Sequence, residues 1–361
     1  MDINNNKYLF SIPTTNGGAG NQIIGIKDAL IIAHYLNRNF LFPPITQHFI
    51  INKLNRDDRY DYKFWNFNDI FEYNDKNCFD VLENKELLYD LNMEYNLANI
   101  NQPVPVIYAL KKIEDKLYDC KRSTTINKTR QINCIDDYNV FKNIDDKVLI
   151  INFTFNLTKI SECGINGCRK CNLNKNFEVI YKNICSKFDF SKKIKSYGDE
   201  YIYNNFKNEP YISVHLRYTD YFLGLLPEFE NVKDLTKTFD EEDINNYLIK
   251  LSKEQNISLE NIFIATPVQY RIKRSSLSKY NLLNSDNKYN ELESFIEQYI
   301  CCKSKIFVYC GGETSNHVHQ PPWKFHKRSS WSSFVTDYRN YLLNKDPETN
   351  ILLPKIFGNE L

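Results

Sequence analysis

Three groups of residues in this 361-residue chain have types and spacing suited to chemistry. The first is Gly17-Gly18-Ala19-Gly20-Asn21-Gln22. A glycine turn lets the backbone approach a ligand closely, and a helix start beyond it favours negative charge. The spacing is not G-x-G-x-x-G, and no Gly-Lys-Ser/Thr follows to make a P-loop. The alternative is a tight turn that only packs. The chain has 11 Gly in all, about 3% against the usual ~7%. Three of them within four residues favour ligand contact over packing.

The second group is His215-Leu216-Arg217-Tyr218-Thr219-Asp220. Alternation along a strand puts His215 and Arg217 on one face and Leu216 on the other. Beyond the carboxyl end of a parallel strand, an Arg can grip a phosphate bidentately and stays charged at any working pH. The structural alternative is an Arg217–Asp220 ion pair. The third group is Lys327-Arg328-Ser329-Ser330-Trp331-Ser332-Ser333-Phe334. Hydroxyls and amides at a helix start bind phosphate oxygens, and they also serve as ordinary caps.

Other candidates are weaker. Cys163, Cys168, Cys171 and Cys185 have metal-like spacing, and four thiolates could hold zinc tetrahedrally. Loop thiols or a disulfide are the competing reading. His317, His319 and His326 lack a nearby carboxylate partner. Glu241-Glu242-Asp243 reads as a solvated helix start.

These residues need elements to hold them. Tyr8 to Ile12 reads as a buried strand, the glycine group as a loop, and Ile23 to Leu36 as a helix with apolar residues at helical spacing. Phe40-Leu41-Phe42 resumes an extended run, completing a βαβ unit. Further strands are predicted at 148–151, 211–216, 262–266 and 306–309. Helices are predicted over 176–205, 241–255, 293–302 and 331–343. Strands alternating with helices imply an α/β fold with parallel sheets, and the length allows two domains. Lys plus Arg is 46 and Asp plus Glu is 45. That balance argues against a nucleic-acid coat or a polybasic membrane anchor, while leaving room for a local cationic pocket. No run of ~18 apolar residues is present, and no leader precedes the first strand, so the cytoplasm is the default location.

Taken in order, the motifs resemble the O-fucosyltransferase superfamily, enzymes that use GDP-fucose. Gly17 through Pro44 is similar to its glycine loop, first helix and second strand. His215-Leu216-Arg217 is similar to its central HLR, and Ile262 to Thr266 to its alanine-threonine strand. Ile306 through Arg339 is similar to its closing strand, serine pair and arginine.

The resemblance implies a GT-B-like α/β architecture, two Rossmann-like domains facing across a cleft. Residues 1–185 would form the acceptor side and 186–361 the GDP-sugar side. It implies inverting transfer of fucose from GDP-fucose to a protein or glycan hydroxyl, with no metal or other cofactor. Arg217 would contact the diphosphate, and Asn21 would reach the reacting centre. Gly17, Gly18, Ala19, Gly20, Gln22, His215 and Asp220 would complete the substrate site. The serine pair that holds phosphate is Ser329-Ser330, followed by Trp331, or Ser332-Ser333, followed by Phe334. Ala19 stands where one peptide branch places a Glu base, and Pro267 where relatives often have an Asp. His215 to Asp220 is closer in spacing to the sugar α-1,2-fucosyltransferases. A glycan enzyme of that type, or a non-catalytic sugar-nucleotide or glycan binder, is the alternative.

Overall fold

The computed structural model describes residues 7–12, 19–46, 64–80, 148–152, 175–216, 241–266, 276–283, 292–309 and 330–352. The chain divides into two compact units, Met1–Ser191 and Lys192–Leu361. No helix among the described residues is long and apolar enough to cross a membrane.

The first unit opens with β1 (Tyr8–Ile12), α1 (Ala19–Tyr35) and β2 (Asn39–Phe42). It continues with β3 (Ile45–Thr46), β4 (Phe64–Trp65), α2 (Phe67–Ile70), β5 (Phe71–Tyr73), β6 (Cys78–Asp80) and β7 (Val148–Asn152). The main sheet runs β6-β2-β1-β7, and every pairing in it is parallel. Taking β1, β2, β6 and β7 as first to fourth, the order is 3-2-1-4, the dinucleotide-fold order. The apolar residues of α1 lie on nearly every side, from Ile23 and Ile24 to Ile32 and Ala33, and all are buried. A helix of that kind has to be covered all round; α1 packs on β1, β2, β3 and α3 (Lys175–Lys187). The helix ends after Tyr35, and Asn37 turns the chain with φ 53°.

The helix predicted over 176–205 is instead two helices, α3 and α4 (Lys192–Phe206), parted by β8 (Phe188–Phe190). Phe188-Asp189-Phe190 alternates apolar and polar, and both rings are buried. β8 pairs antiparallel with β5. Phe42, Phe67, Phe71 and Phe188 stack around it, with centroids 3.8 Å apart for Phe42–Phe67 and 5.0 Å for Phe71–Phe188. Local helical periodicity loses there to an aromatic cluster formed with distant residues, which also ties 186–191 to the first unit.

The second unit adds β9 (Ile212–His215), α5 (Glu241–Gln255), β10 (Ile262–Ala265), α6 (Glu293–Lys303), β11 (Ile306–Tyr309), α7 (Ser330–Asp337) and β12 (Asn350–Leu352). The last helix is shorter than the 331–343 expected, because Tyr338–Leu342 winds on as a π-helix. The sheet runs β10-β9-β11-β12, all parallel. In chain order this is 2-1-3-4, the flavodoxin-type order. Ile212, Val214 and Leu216 turn one face of the sheet towards Ile244, Leu248 and Leu251 of α5. On the other face Ser213 Oγ donates to Ser304 Oγ at 2.7 Å, just past α6.

Two details fix how α6 lies. Gly198 of α4 sits so close that an added Cβ would run into the Tyr299 ring, while Tyr299 Oη donates to Asp199 Oδ1 at 2.8 Å. At the other end, Arg339 is fully buried. Its Nη1 donates to the carbonyls of Cys301, Cys302 and Ser304, its Nη2 to Thr349 Oγ1, and its Nε to Asn350 Oδ1. A guanidinium thus satisfies the orphan carbonyls of a helix C-terminus.

Candidate functional site

Ligands of doubly wound sheets bind beyond the carboxyl ends of the strands, where the strand order reverses. In the second unit that point lies between β9 and β11, where His215 and Tyr309 stand in register. His215 is 6% exposed. Its Nδ1 lies 2.8 Å from Ser332 Oγ in the first turn of α7. Its ring stacks on Trp331, with centroids 4.0 Å apart and planes at 19°. Trp331 Nε1 in turn donates to Ser294 Oγ of α6 at 3.1 Å. Two of the three sequence groups therefore meet at one place, and the starts of two helices meet there with them.

The first turn of α7 has backbone N–H groups without intrahelical partners, the arrangement that receives phosphate. Ser330 opens the helix. Ser332, Ser333 and Phe334 are buried within it. The Ser332 hydroxyl is engaged with His215, and the Phe334 ring lies against Tyr338. Ser329, Arg217 and Asp220 lie outside the described residues. Leu216 N donates to Ala265 O at 3.0 Å, so strand pairing runs up to the residue before Arg217. Arg339, matched above to the arginine that closes the family pattern, is taken up wholly by the carbonyl end of α6 and its neighbours.

In the first unit the reversal of order falls between β1 and β7. Ala19, Gly20, Asn21 and Gln22 form the first turn of α1, directly after β1, rather than a loop before the helix. Gly20 and Gln22 are buried. Gly17 and Gly18 lie outside the described residues. The glycine group thus opens the helix that follows the first strand of its sheet, and His215 ends the first strand of the other.

Two residues at the second site were missed by sequence reasoning. Glu297 and Gln298 of α6 are buried, at 7% and 0% exposure. Glu297 is one helical turn from Cys301, whose carbonyl meets Ser213 Oγ at 3.5 Å, so it faces the side of β9 that carries His215. Burial, first, and then the neighbouring Cys302 and Glu297 charges hold the Cys301 thiol pKa well above its ordinary value. A Glu-Gln pair inside the apolar run Phe295 to Cys302 was the available signal. Cys163, Cys168, Cys171, His317, His319 and His326 lie outside the described residues, and Cys185 is buried in α3. Among the described residues no three His, Cys, Asp or Glu side chains group as a metal site.

Residues 8–321 match the family model described as GDP-fucose protein O-fucosyltransferase. The chain belongs to that family. Among curated members, the GDP-fucose protein O-fucosyltransferase 2 of Plasmodium falciparum (isolate NF54) is 29% identical over 302 residues, covering 81% of this chain and 60% of that protein. The O-fucosyltransferase 2 of Plasmodium berghei (strain Anka) is 32% identical over 140 residues, 36% of this chain and 27% of that protein. The chain spans about three fifths of the length of the first relative. POFUT1 in complex with GDP-fucose matches the structure with a TM-score of 0.55 at 11% identity, over 98% of this chain and 100% of that one. POFUT1 without ligand matches with a TM-score of 0.56. The fold is therefore the α/β, GT-B-type fold of an O-fucosyltransferase. The family match ends at 321, so α7 and its contact with His215 come from the tertiary structure.

Proposed function

We propose that this family member transfers fucose from GDP-fucose to a hydroxyl of a protein acceptor, with inversion at the anomeric carbon. The observation that carries this reading is the His215–Ser332 contact. It joins the HLR strand to the first turn of α7 at the position where doubly wound sheets bind nucleotides. Arg217 and the α7 backbone amides take the diphosphate. As the bond from C1 to the GDP oxygen breaks, the sugar gains oxocarbenium character and negative charge grows on the leaving diphosphate. Arg217 offsets that charge; electrostatic aid of this type is worth ~3–4 kcal/mol per donor. The acceptor oxygen bonds to C1 as GDP departs, and its proton passes to solvent. Asn21, at the start of α1, orients the acceptor hydroxyl. The guanidinium supplies the positive charge, so the reaction needs no metal and persists in EDTA.

Calorimetry with GDP, UDP and ADP tests the donor, and release of GDP from GDP-fucose in the presence of candidate acceptor proteins tests the transfer. Tightest binding of GDP supports the reading; preference for UDP overturns it. GDP binding without any turnover or hydrolysis of GDP-fucose moves the protein to the non-catalytic binders.

A further inference from the structure

Gln298 is fully buried, and neither amide atom has a hydrogen-bond partner. Buried polar groups are almost always satisfied, and an apolar side chain of the same shape is the better choice where no partner exists. Its position points to the missing partner. Ser294 and Cys302 both reach α7 from α6, through Trp331 Nε1 and the Val335 carbonyl. Gln298 is four residues from each, so helical spacing puts it on the same stripe, facing α7 midway between those contacts.

Along that stripe Ser294 Oγ holds the Trp331 indole N–H, and Gln298 Oε1, one helical turn on, has no donor. The occupied position stacks the indole over His215. Resting on the donor reading above, we propose that Gln298 is a positioning residue. When the donor diphosphate seats on the first turn of α7, the indole leaves Ser294 and its N–H passes to Gln298, which holds Trp331 in the nucleotide-bound position.

The test uses the full chain and GDP as the probe. Q298M keeps the volume and removes the acceptor. It is expected to weaken GDP binding by about 2- to 13-fold, the net value of one hydrogen bond, and to leave the melting temperature without GDP equal or higher. S294A removes the competing acceptor and is expected to tighten GDP binding. In a W65F/W323F background Trp331 is the one remaining indole of three; GDP shifts its emission there, and Q298M abolishes the shift. Unchanged GDP affinity in Q298M overturns the proposal. So does failure of Q298M to fold, because the amide would then be structural, and so does weaker binding in S294A. Absence of GDP binding by the wild-type protein overturns the donor reading and this inference together.

Discussion

His215 Nδ1 and Ser332 Oγ stand 2.8 Å apart, although 117 residues separate them in sequence. That contact joins the carboxyl end of β9 to the start of α7. Removing either partner takes this buried hydrogen bond from the other, a loss of about 0.5–1.5 kcal/mol. S332A and H215A are each expected to lower the denaturant midpoint and to weaken GDP binding. In a double-mutant cycle the two changes should couple by about 0.5–3 kcal/mol. Additive effects would show that the contact does no more than fill space.

On the function proposed above, Arg217, next in sequence after the β9 end, carries the charge of the leaving diphosphate. R217A is expected to slow transfer from GDP-fucose by about 100- to 1000-fold, with the melting temperature held within a few degrees. N21A should lower turnover more than it weakens GDP binding if Asn21 orients the acceptor hydroxyl as proposed. Single-turnover kinetics with isothermal binding would separate the two effects, and full activity in R217A would remove Arg217 from the mechanism.

Arg339 makes the opposite prediction. Its guanidinium is buried on the carbonyls of Cys301, Cys302 and Ser304. R339A orphans several of them at once and is expected to cost about 3 kcal/mol or more of stability. Below its own melting point the variant should still bind GDP. A clear loss of GDP affinity in folded R339A would return this residue to the binding site.

Lys345 gives a pH dependence. Its Nζ donates to the carbonyls of Lys303 and Ser304, and burial, with the Arg339 charge second, pushes its pKa down from 10.5 to about 8. Between those values the unfolded chain binds the proton more readily than the folded one, so this group makes stability rise with pH from about 8 to 10.5, flat below. The stability difference between wild type and K345M is therefore expected to shift in favour of wild type across that window. Denaturant titrations at pH 7, 8.5 and 10 would show it; a constant difference would show that Lys345 titrates normally.

Much of the fold was legible because its signals are local. Tyr8 to Ile12, Tyr211 to Leu216 and Ile306 to Tyr309 are short, largely apolar runs, and each carries a strand of a parallel sheet, at Tyr8–Ile12, Ile212–His215 and Ile306–Tyr309. The break at Phe188-Asp189-Phe190 was not legible, since its cause is a pairing with Phe71–Tyr73 across more than a hundred residues. Strand β12 was missed for the same reason. Asn350-Ile351-Leu352 is too short to signal itself, and its register with Phe307 to Tyr309 makes it a strand.

By itself the sequence determined that this is an α/β protein of alternating strands and helices, with a glycine group after the first strand and an HLR at a strand end as its candidate chemical positions, because residue type and spacing set local conformation and local charge. Only the tertiary structure decided which of these residues come together, as His215 does with Trp331 and Ser332. It took Ser332 for His215, buried Ser333 and Phe334, and spent Arg339 on the end of α6. It also buried Gln298 in α6 without a hydrogen-bond partner. Those outcomes depend on which helix faces lie against one sheet, and packing between distant segments, not local propensity, settles that.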